Sequence, residues 1–280
     1  MPQPTLHHIA ARWSLLQYPS PNTEWTLEQK FAEIIEAGFD GVIHPPISEL
    51  STLAGKYGLT VLGSVVSGQG SEMSTLLQAN KECGARHINA HLGDDNTTLD
   101  EAVELAILLM QDGHRLGLEP SIEVHRGTCT ETPEKAYALA DVYQRRTGKL
   151  LPITWDFSHF AVVKHLTPDT FIEKLLVRPD LVQRAQQFHF RPFNGQHSQV
   201  PVTDGKGNLT QEVRDWFPFA EAVFRCWLDG SENTDRDVYV CPEMGPVVSG
   251  YNLSTSPNNW EDAKVLRLEI DKIWKKLNKK

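Results

Sequence analysis

The 280-residue sequence contains few cysteines. Cys83, Cys129, Cys226 and Cys241 lie far apart, with no CxxC pair among them, and no apolar signal-like segment follows the first residue. Extracellular domains that depend on disulfide bonds carry many closely spaced cysteines. This spacing therefore argues against a disulfide scaffold, and we expect a protein of the reducing cytoplasm.

Long hydrophobic runs are also missing. The longest, such as Leu105–Met110, are far shorter than the roughly 18 apolar residues that a membrane-spanning helix needs. We therefore expect no membrane partner.

The sequence has no excess of positive charge. Lys and Arg number 27 against 36 for Asp and Glu, which gives a formal net charge of −9. A net-negative surface repels phosphate backbones, so nucleic acid is not an expected partner. Hydrophobic residues make up 40% of the chain, which is ordinary for a globular protein with a sizeable core.

Short β-branched segments alternate with longer amphipathic ones along the chain. The alternation predicts eight strands, His8–Trp13, Gly41–Pro45, Thr60–Val66, Arg86–His91, Pro120–His125, Leu151–Asp156, Phe188–Arg191 and Val238–Glu243. Helices are predicted between most of them, over Trp25–Gly38, Leu50–Tyr57, Glu72–Cys83, Leu99–Gly117, Pro133–Thr147, Pro168–Leu176 and Pro179–Gln187, with a last helix after Ser256. This order indicates parallel strands joined by right-handed crossovers.

The number of units points to one architecture. Dividing 280 residues among eight units gives 35 residues per unit, the size of a βα repeat. We therefore predict an α/β fold with one domain over residues 1–280, a single (β/α)8 TIM barrel with a C-terminal helix. A loop rich in Gly, Pro, Asn and Gln, Pro192–Leu209, follows the seventh strand on the side where barrels place active sites.

Four residues with metal-ligand chemistry fall at the ends of the last four predicted strands: Glu123, Asp156, His189 and Glu243. Three carboxylates buried together need a compensating cation. A single divalent ion held by the four side chains is the simplest solution. Taken alone, each carboxylate has a simpler interpretation as an ion-pair partner or helix cap, and His189 as a core histidine.

The order Glu, Asp-x-x-His, His, Glu on strands five to eight resembles the xylose-isomerase-like barrel superfamily of sugar isomerases and epimerases. The resemblance extends over essentially the whole chain and includes the segment Phe31–Val42. It implies one divalent metal ion (manganese, magnesium, cobalt or zinc) bound by Glu123, Asp156, His189 and Glu243. It also implies that the two glutamates face opposite sides of the substrate carbon, and that homo-oligomers are common.

Further residues are candidates for substrate binding. The resemblance implies that His159 contacts a substrate oxygen; a hydrogen bond at a helix start is the alternative. His125 and Arg126 follow Glu123 closely and, like Arg191, could bind hydroxyl or phosphate oxygens; for either arginine a surface ion pair is an equal alternative. His91 and Trp13 end strands four and one, where core packing is the competing role.

The expected activity is isomerisation or epimerisation of a small ketose or aldose, free or phosphorylated. Glu123 and Glu243 would move a proton beside a metal-polarised carbonyl. A keto-inositol or keto-sugar dehydratase or lyase on the same scaffold is the main alternative. A non-catalytic sugar-binding barrel and an abasic-site endonuclease are less favoured; the endonuclease would need a histidine at the end of strand three, Gly63–Ser67, which has none.

Overall fold

A computed structural model describes residues 4–230 and 236–278. Eight parallel strands close into a barrel in sequence order, with the first strand paired to the second and the eighth. The strands are β1 (Leu6–Ala11), β2 (Gly41–His44), β3 (Thr60–Ser67), β4 (His87–Leu92), β5 (Glu119–Glu123), β6 (Ile153–Trp155), β7 (Gln187–Phe190) and β8 (Val238–Pro242). The predicted (β/α)8 barrel is confirmed.

Helices connect the strands and form the outer layer. They are α1 (Leu27–Glu36), α2 (Leu50–Tyr57), α3 (Gly70–Glu82), α4 (Leu99–Arg115), α5 (Pro133–Thr147), α6 (Phe157–Val163), α7 (Phe171–Leu175), α8 (Pro179–Arg184), α9 (Gln211–Leu228) and α10 (Asn259–Leu277). Local signals explain their starts. Thr98, for example, caps α4 through a reciprocal hydrogen-bonded box with Glu101, which satisfies two free N–H groups.

The structure differs from the predicted elements in three places. Strand β1 begins and ends two residues earlier than expected, so Trp13 lies in a short 3-10 helix, Arg12–Leu15. Helices α6 and α9 were not predicted. Asp156 starts α6 by accepting a hydrogen bond from the Ser158 amide, and α9 continues through Pro218, a residue that normally interrupts helices.

The interior of the barrel is apolar on one side and polar on the other. Ile9, Ile43, Leu62 and Cys241 belong to an apolar cluster on β1, β2, β3 and β8. On the opposite wall, three buried polar side chains bond to one another: Ser121 Oγ lies 2.6 Å from Thr154 Oγ1, and Gln187 Nε2 donates to Ser121 Oγ at 3.0 Å. Above this polar wall lie the predicted metal ligands.

The loop Pro192–Leu209 is held against the barrel by two buried side chains. The carboxylate of Asp262 in α10 accepts hydrogen bonds from the backbone amides of Val202 and Thr203. The amide of Gln199 donates to the Gly245 carbonyl at 3.0 Å and accepts from the Gly245 N–H at 2.6 Å. These bonds pack the loop beside the end of β8.

None of the helices described is long and apolar enough to cross a membrane.

Candidate functional site

The candidate site residues share one position in the strand pattern. Side chains alternate between the two faces of a strand, and the ladder pairs His189 with the inward-facing Cys241. Glu243 follows Cys241 by two residues, as His189 follows Gln187 and Glu123 follows Ser121. Each therefore faces the barrel axis, above its polar wall.

Three of the four predicted metal ligands come together. Glu123, His189 and Glu243 each offer one ligand atom, and these atoms lie within 4.8 Å of one another. His189 Nδ1 is 2.9 Å from Glu123 Oε1 and 3.4 Å from Glu243 Oε2. Two carboxylates and an imidazole form a donor set that suits a divalent cation, so the residues fit the implied metal.

Strong electrostatic coupling accompanies this grouping. Burial raises the pKa of Glu123, but the imidazoles of His189 and His91 more than offset that effect and hold it well below its ordinary value. Burial lowers the pKa of His189, yet Glu123 and Glu243 raise it well above the ordinary value. Without a metal, a protonated His189 therefore supplies the positive charge that the carboxylates need.

Asp156, the fourth predicted ligand, has different partners. Its carboxylate accepts a hydrogen bond from Arg191 Nη2 and lies 3.3 Å from His159 Nε2. Burial raises the pKa of Asp156, but the Arg191 guanidinium and His159 bring it far below its ordinary value. Asp156 is thus an ionised partner of Arg191 beside the three-residue group.

Arg191 lies inside the site, which contradicts the alternative of a surface ion pair for it. Its side chain is 1% exposed, and its Nη1 atom is 3.5 Å from Glu243 Oε2 without a hydrogen-bond partner among the described residues. Arg191 therefore links Asp156 and Glu243 electrostatically and keeps one buried donor free.

Two further side chains orient the glutamates. Trp13 Nε1 donates to Glu243 Oε1 at 3.0 Å, so this predicted pocket residue contacts the site despite lying beyond β1. Asn89 Nδ2 donates to Glu123 Oε2, a role that the sequence analysis missed. Its signal was the spacing on β4, where Asn89 and His91 occupy the same face of the strand.

Three histidines form a row along one wall of the site. His91 Nε2 lies 2.6 Å from Glu123 Oε2, and the ring centroid of His125 is 4.2 Å from that of His91 and 4.6 Å from that of His159. Burial lowers the pKa of His125 to about 4, so its ring is neutral near pH 7. The row therefore runs from Glu123, which His91 contacts, to Asp156, which lies 3.3 Å from His159.

Arg126 lies at the rim, where its guanidinium carbon is 4.4 Å from the ring centroid of Tyr251. Tyr251, which the sequence analysis did not single out, also stacks on Arg191 at 4.3 Å.

A cavity of about 280 Å³ opens at this end of the barrel. It is lined by Trp13, His44, Asn89, His91, Glu123, His189 and Glu243 among others.

Comparisons with known proteins support the fold. No protein-family model matches the sequence, and no curated protein matches it significantly. Solved structures do match. An L-ribulose 3-epimerase superposes with a TM-score of 0.65 at 14% identity, covering 97% of this chain and 95% of that one.

Two other solved structures also match over nearly the whole length of both chains. A xylose isomerase-like TIM barrel protein from Mycobacterium smegmatis, in complex with magnesium, gives a TM-score of 0.61 at 14% identity over 96% of this chain and 97% of that one. The probable 3-DHS dehydratase AsbF from Bacillus anthracis gives 0.59 at 14% identity over 93% and 98%. The chain has the fold of the xylose isomerase-like TIM barrels, as its motifs predicted.

Proposed function

We propose that the protein is a divalent-metal-dependent sugar isomerase or epimerase that acts on a small polyhydroxy ketose or aldose. The observation that carries this proposal is the grouping of Glu123, His189 and Glu243, whose ligand atoms lie within 4.8 Å of one another. Two glutamates on either side of one imidazole provide both a metal site and two proton-transfer groups. The fold shared with an L-ribulose 3-epimerase supports the same assignment.

Glu123, His189 and Glu243 would hold the metal. We propose Asp156 as a fourth ligand, which would bind the ion after its ion pair with Arg191 breaks. A bound divalent ion supplies a Lewis acid that polarises a substrate carbonyl and stabilises the charge that develops on it. Oxygen and imidazole ligands suit manganese, magnesium, cobalt or zinc. Structures of the same fold in complex with zinc or with magnesium support a divalent ion.

Glu123 and Glu243 are proposed to transfer protons at the carbon next to the carbonyl. Asn89 and His91 orient Glu123, and Trp13 orients Glu243, so each carboxylate approaches the cavity from its own side. One glutamate removes the proton and the other returns one, which changes the configuration or the position of the carbonyl. His125, Arg126, His159 and Arg191 are proposed to bind substrate oxygens.

A second candidate is a dehydratase or lyase on a keto-sugar or keto-inositol. Its support is the similarity to the probable 3-DHS dehydratase. Such an enzyme would begin with the same proton abstraction and then expel a β-hydroxyl group as water.

The few, widely spaced cysteines support the cytoplasm as the compartment for either activity.

The test is a metal analysis followed by an activity screen. Purified protein dialysed against manganese is analysed for bound metal, and ketoses, aldoses and keto-inositols are incubated with it in deuterated water. We expect about one bound ion per chain and deuterium in the product; loss of water instead of exchange would identify the dehydratase. Absence of a stoichiometric divalent ion would overturn the proposal.

Substitutions test the residues. Glu123→Gln and Glu243→Gln should remove a proton-transfer group and lower kcat by at least about 100-fold. The matched control is Glu119→Gln, at the other end of β5, where Glu119 pairs with Arg86. That variant should retain activity and bound metal.

A further inference from the structure

The turn that follows β5 is fixed by hydrogen bonds. The backbone carbonyl of Arg126 accepts a hydrogen bond from His125 Nδ1 at 2.7 Å, and the Thr128 hydroxyl donates to the His125 carbonyl at 2.7 Å. Gly127 has a φ of 64°, a left-handed conformation that glycine adopts without strain. The side chain of Arg126 therefore leaves the backbone from a defined point at the rim of the site.

The Arg126 side chain is held at its far end by an aromatic ring. Its guanidinium carbon lies 4.4 Å from the ring centroid of Tyr251, and Tyr251 packs edge-on against Trp13 with centroids 5.2 Å apart. Stacking engages the face of a guanidinium and leaves the N–H groups at its edge available. Arg126 is exposed, and within residues 4–230 and 236–278 no carboxylate lies within ion-pair distance of it.

Arg126 and Arg191 stack on the same ring but differ in their charge partners. Arg191 is buried and pairs with Asp156 while approaching Glu243, so the carboxylates of the site balance its charge. Arg126 has no such partner in the described part of the chain. The side of the site near Tyr251 thus carries one positive charge that has no ion-pair partner among the described residues.

We propose that Arg126 binds an anionic group of the substrate, a carboxylate or a phosphate, and so restricts the enzyme to acidic sugar derivatives. The proposal rests on the function proposed above, since it names the class of substrate for the same site. A guanidinium that stacks on a ring and keeps its edge donors available matches the planar or tetrahedral oxygens of these groups and can bind them with two parallel hydrogen bonds. A neutral sugar offers no partner for this charge.

The test compares three small ligands with the same carbon chain. Glycerol is neutral, glycerate carries a carboxylate and glycerol 3-phosphate carries a phosphate, so the series separates the two sources of negative charge. Dissociation constants are measured by saturation-transfer NMR at low ionic strength, for the wild-type chain and for Arg126→Gln, Arg126→Lys and Arg145→Gln. Arg145 is an exposed arginine in α5 and provides the matched control.

We expect at least one of the two anions to bind the wild-type chain about tenfold or more tightly than glycerol, since hydrogen bonds between charged groups are the stronger ones. Arg126→Gln should abolish that preference, Arg126→Lys should restore part of it, and Arg145→Gln should behave as wild type. Which anion responds identifies the group.

Equal binding of all three ligands to the wild-type chain, or an anion preference that survives Arg126→Gln, would overturn the proposal. Metal content is measured on the same samples. Arg126 is not among the grouped ligands, so the variants should bind metal as the wild type does. A chain that binds anions through Arg126 but no divalent ion would overturn the proposed function and leave the anion site intact.

Discussion

Arg191 donates a hydrogen bond to Asp156, and both side chains are almost completely buried, with 1% and 0% of their surface exposed. An ion pair in this environment gains little over an apolar pair, but removing one partner strands a buried charge. In the metal-free chain, the Arg191 guanidinium therefore neutralises the buried charge of Asp156, as a bound metal ion would otherwise do.

Replacing Arg191 by methionine should make the stability of the protein depend on metal. Asp156 would lose its counter-charge, so we expect the metal-free variant to be about 3 to 5 kcal/mol less stable than wild type. A divalent ion can then neutralise Asp156 directly. Urea unfolding with and without manganese should show a larger stabilisation by metal in Arg191→Met than in wild type. Arg191→Lys, which keeps the charge, is the control; equal metal stabilisation in all three chains would contradict the exchange of partners.

Asn89 should matter for metal affinity although it is not itself a proposed ligand. Its amide donates to Glu123 Oε2 and so fixes the carboxylate that would face the ion. Removal of such an orienting hydrogen bond typically weakens metal binding by about 10- to 100-fold. We expect this loss for Asn89→Ala in a calorimetric manganese titration, with Asn278→Ala at the end of α10 as the control. An unchanged dissociation constant would show that Glu123 needs no such support.

Metal binding should release protons near neutral pH. Burial lowers the pKa of His189, but Glu123 and Glu243 raise it well above its ordinary value, so the metal-free chain carries a proton there. A metal ligand must be deprotonated, and affinity should therefore rise with pH. Calorimetric titrations in two buffers of different ionisation enthalpy count the protons released. A binding enthalpy that is independent of the buffer would refute the expectation.

His8, which is not among the grouped ligands, should make the fold less stable in mild acid. Burial, followed by the Arg267 charge, lowers the pKa of His8 to about 4, whereas an unfolded chain has a value near 6.5. Between these values the unfolded chain binds more protons, so stability falls as the pH falls. The loss from pH 7 to pH 5 is about 2 kcal/mol for this group.

The variant His8→Gln should lack this share of the pH dependence. Urea unfolding at pH 7 and pH 5 should give a drop in stability that is smaller by about 2 kcal/mol than in wild type. His114→Gln, at an exposed position in α4, should leave the wild-type drop unchanged. Identical drops in all three proteins would mean that His8 accepts a proton in the folded state.

The barrel was predictable because its information is local and repeats. Alternation of strand and helix patterns identified all eight strands, and the ends of the last four placed Glu123, Asp156, His189 and Glu243 at one end of the barrel. Helix α9 was not predicted because it contains Pro218, and a proline argues against a helix wherever tertiary packing does not compensate.

The pairing of side chains across the site was not predictable in the same way. Asp156 lies 35 residues from Arg191, and nothing in the spacing tells whether that carboxylate faces a metal or a guanidinium. The contact of Tyr251 with both Arg126 and Arg191 likewise depends on the path of the chain after β8. Such choices are made by three-dimensional packing and charge balance, which no sequence period encodes.

The polar wall formed by Ser121, Thr154 and Gln187 limits where a ligand can enter and leave the barrel. These side chains bond to one another, and the apolar cluster packs on the other wall, so side chains of the described residues occupy the interior below the site, as is usual in such barrels. A molecule that enters beside Glu243 must leave by the same opening. If the proposed function holds, we therefore expect the reaction product to inhibit by competing with substrate for this one opening.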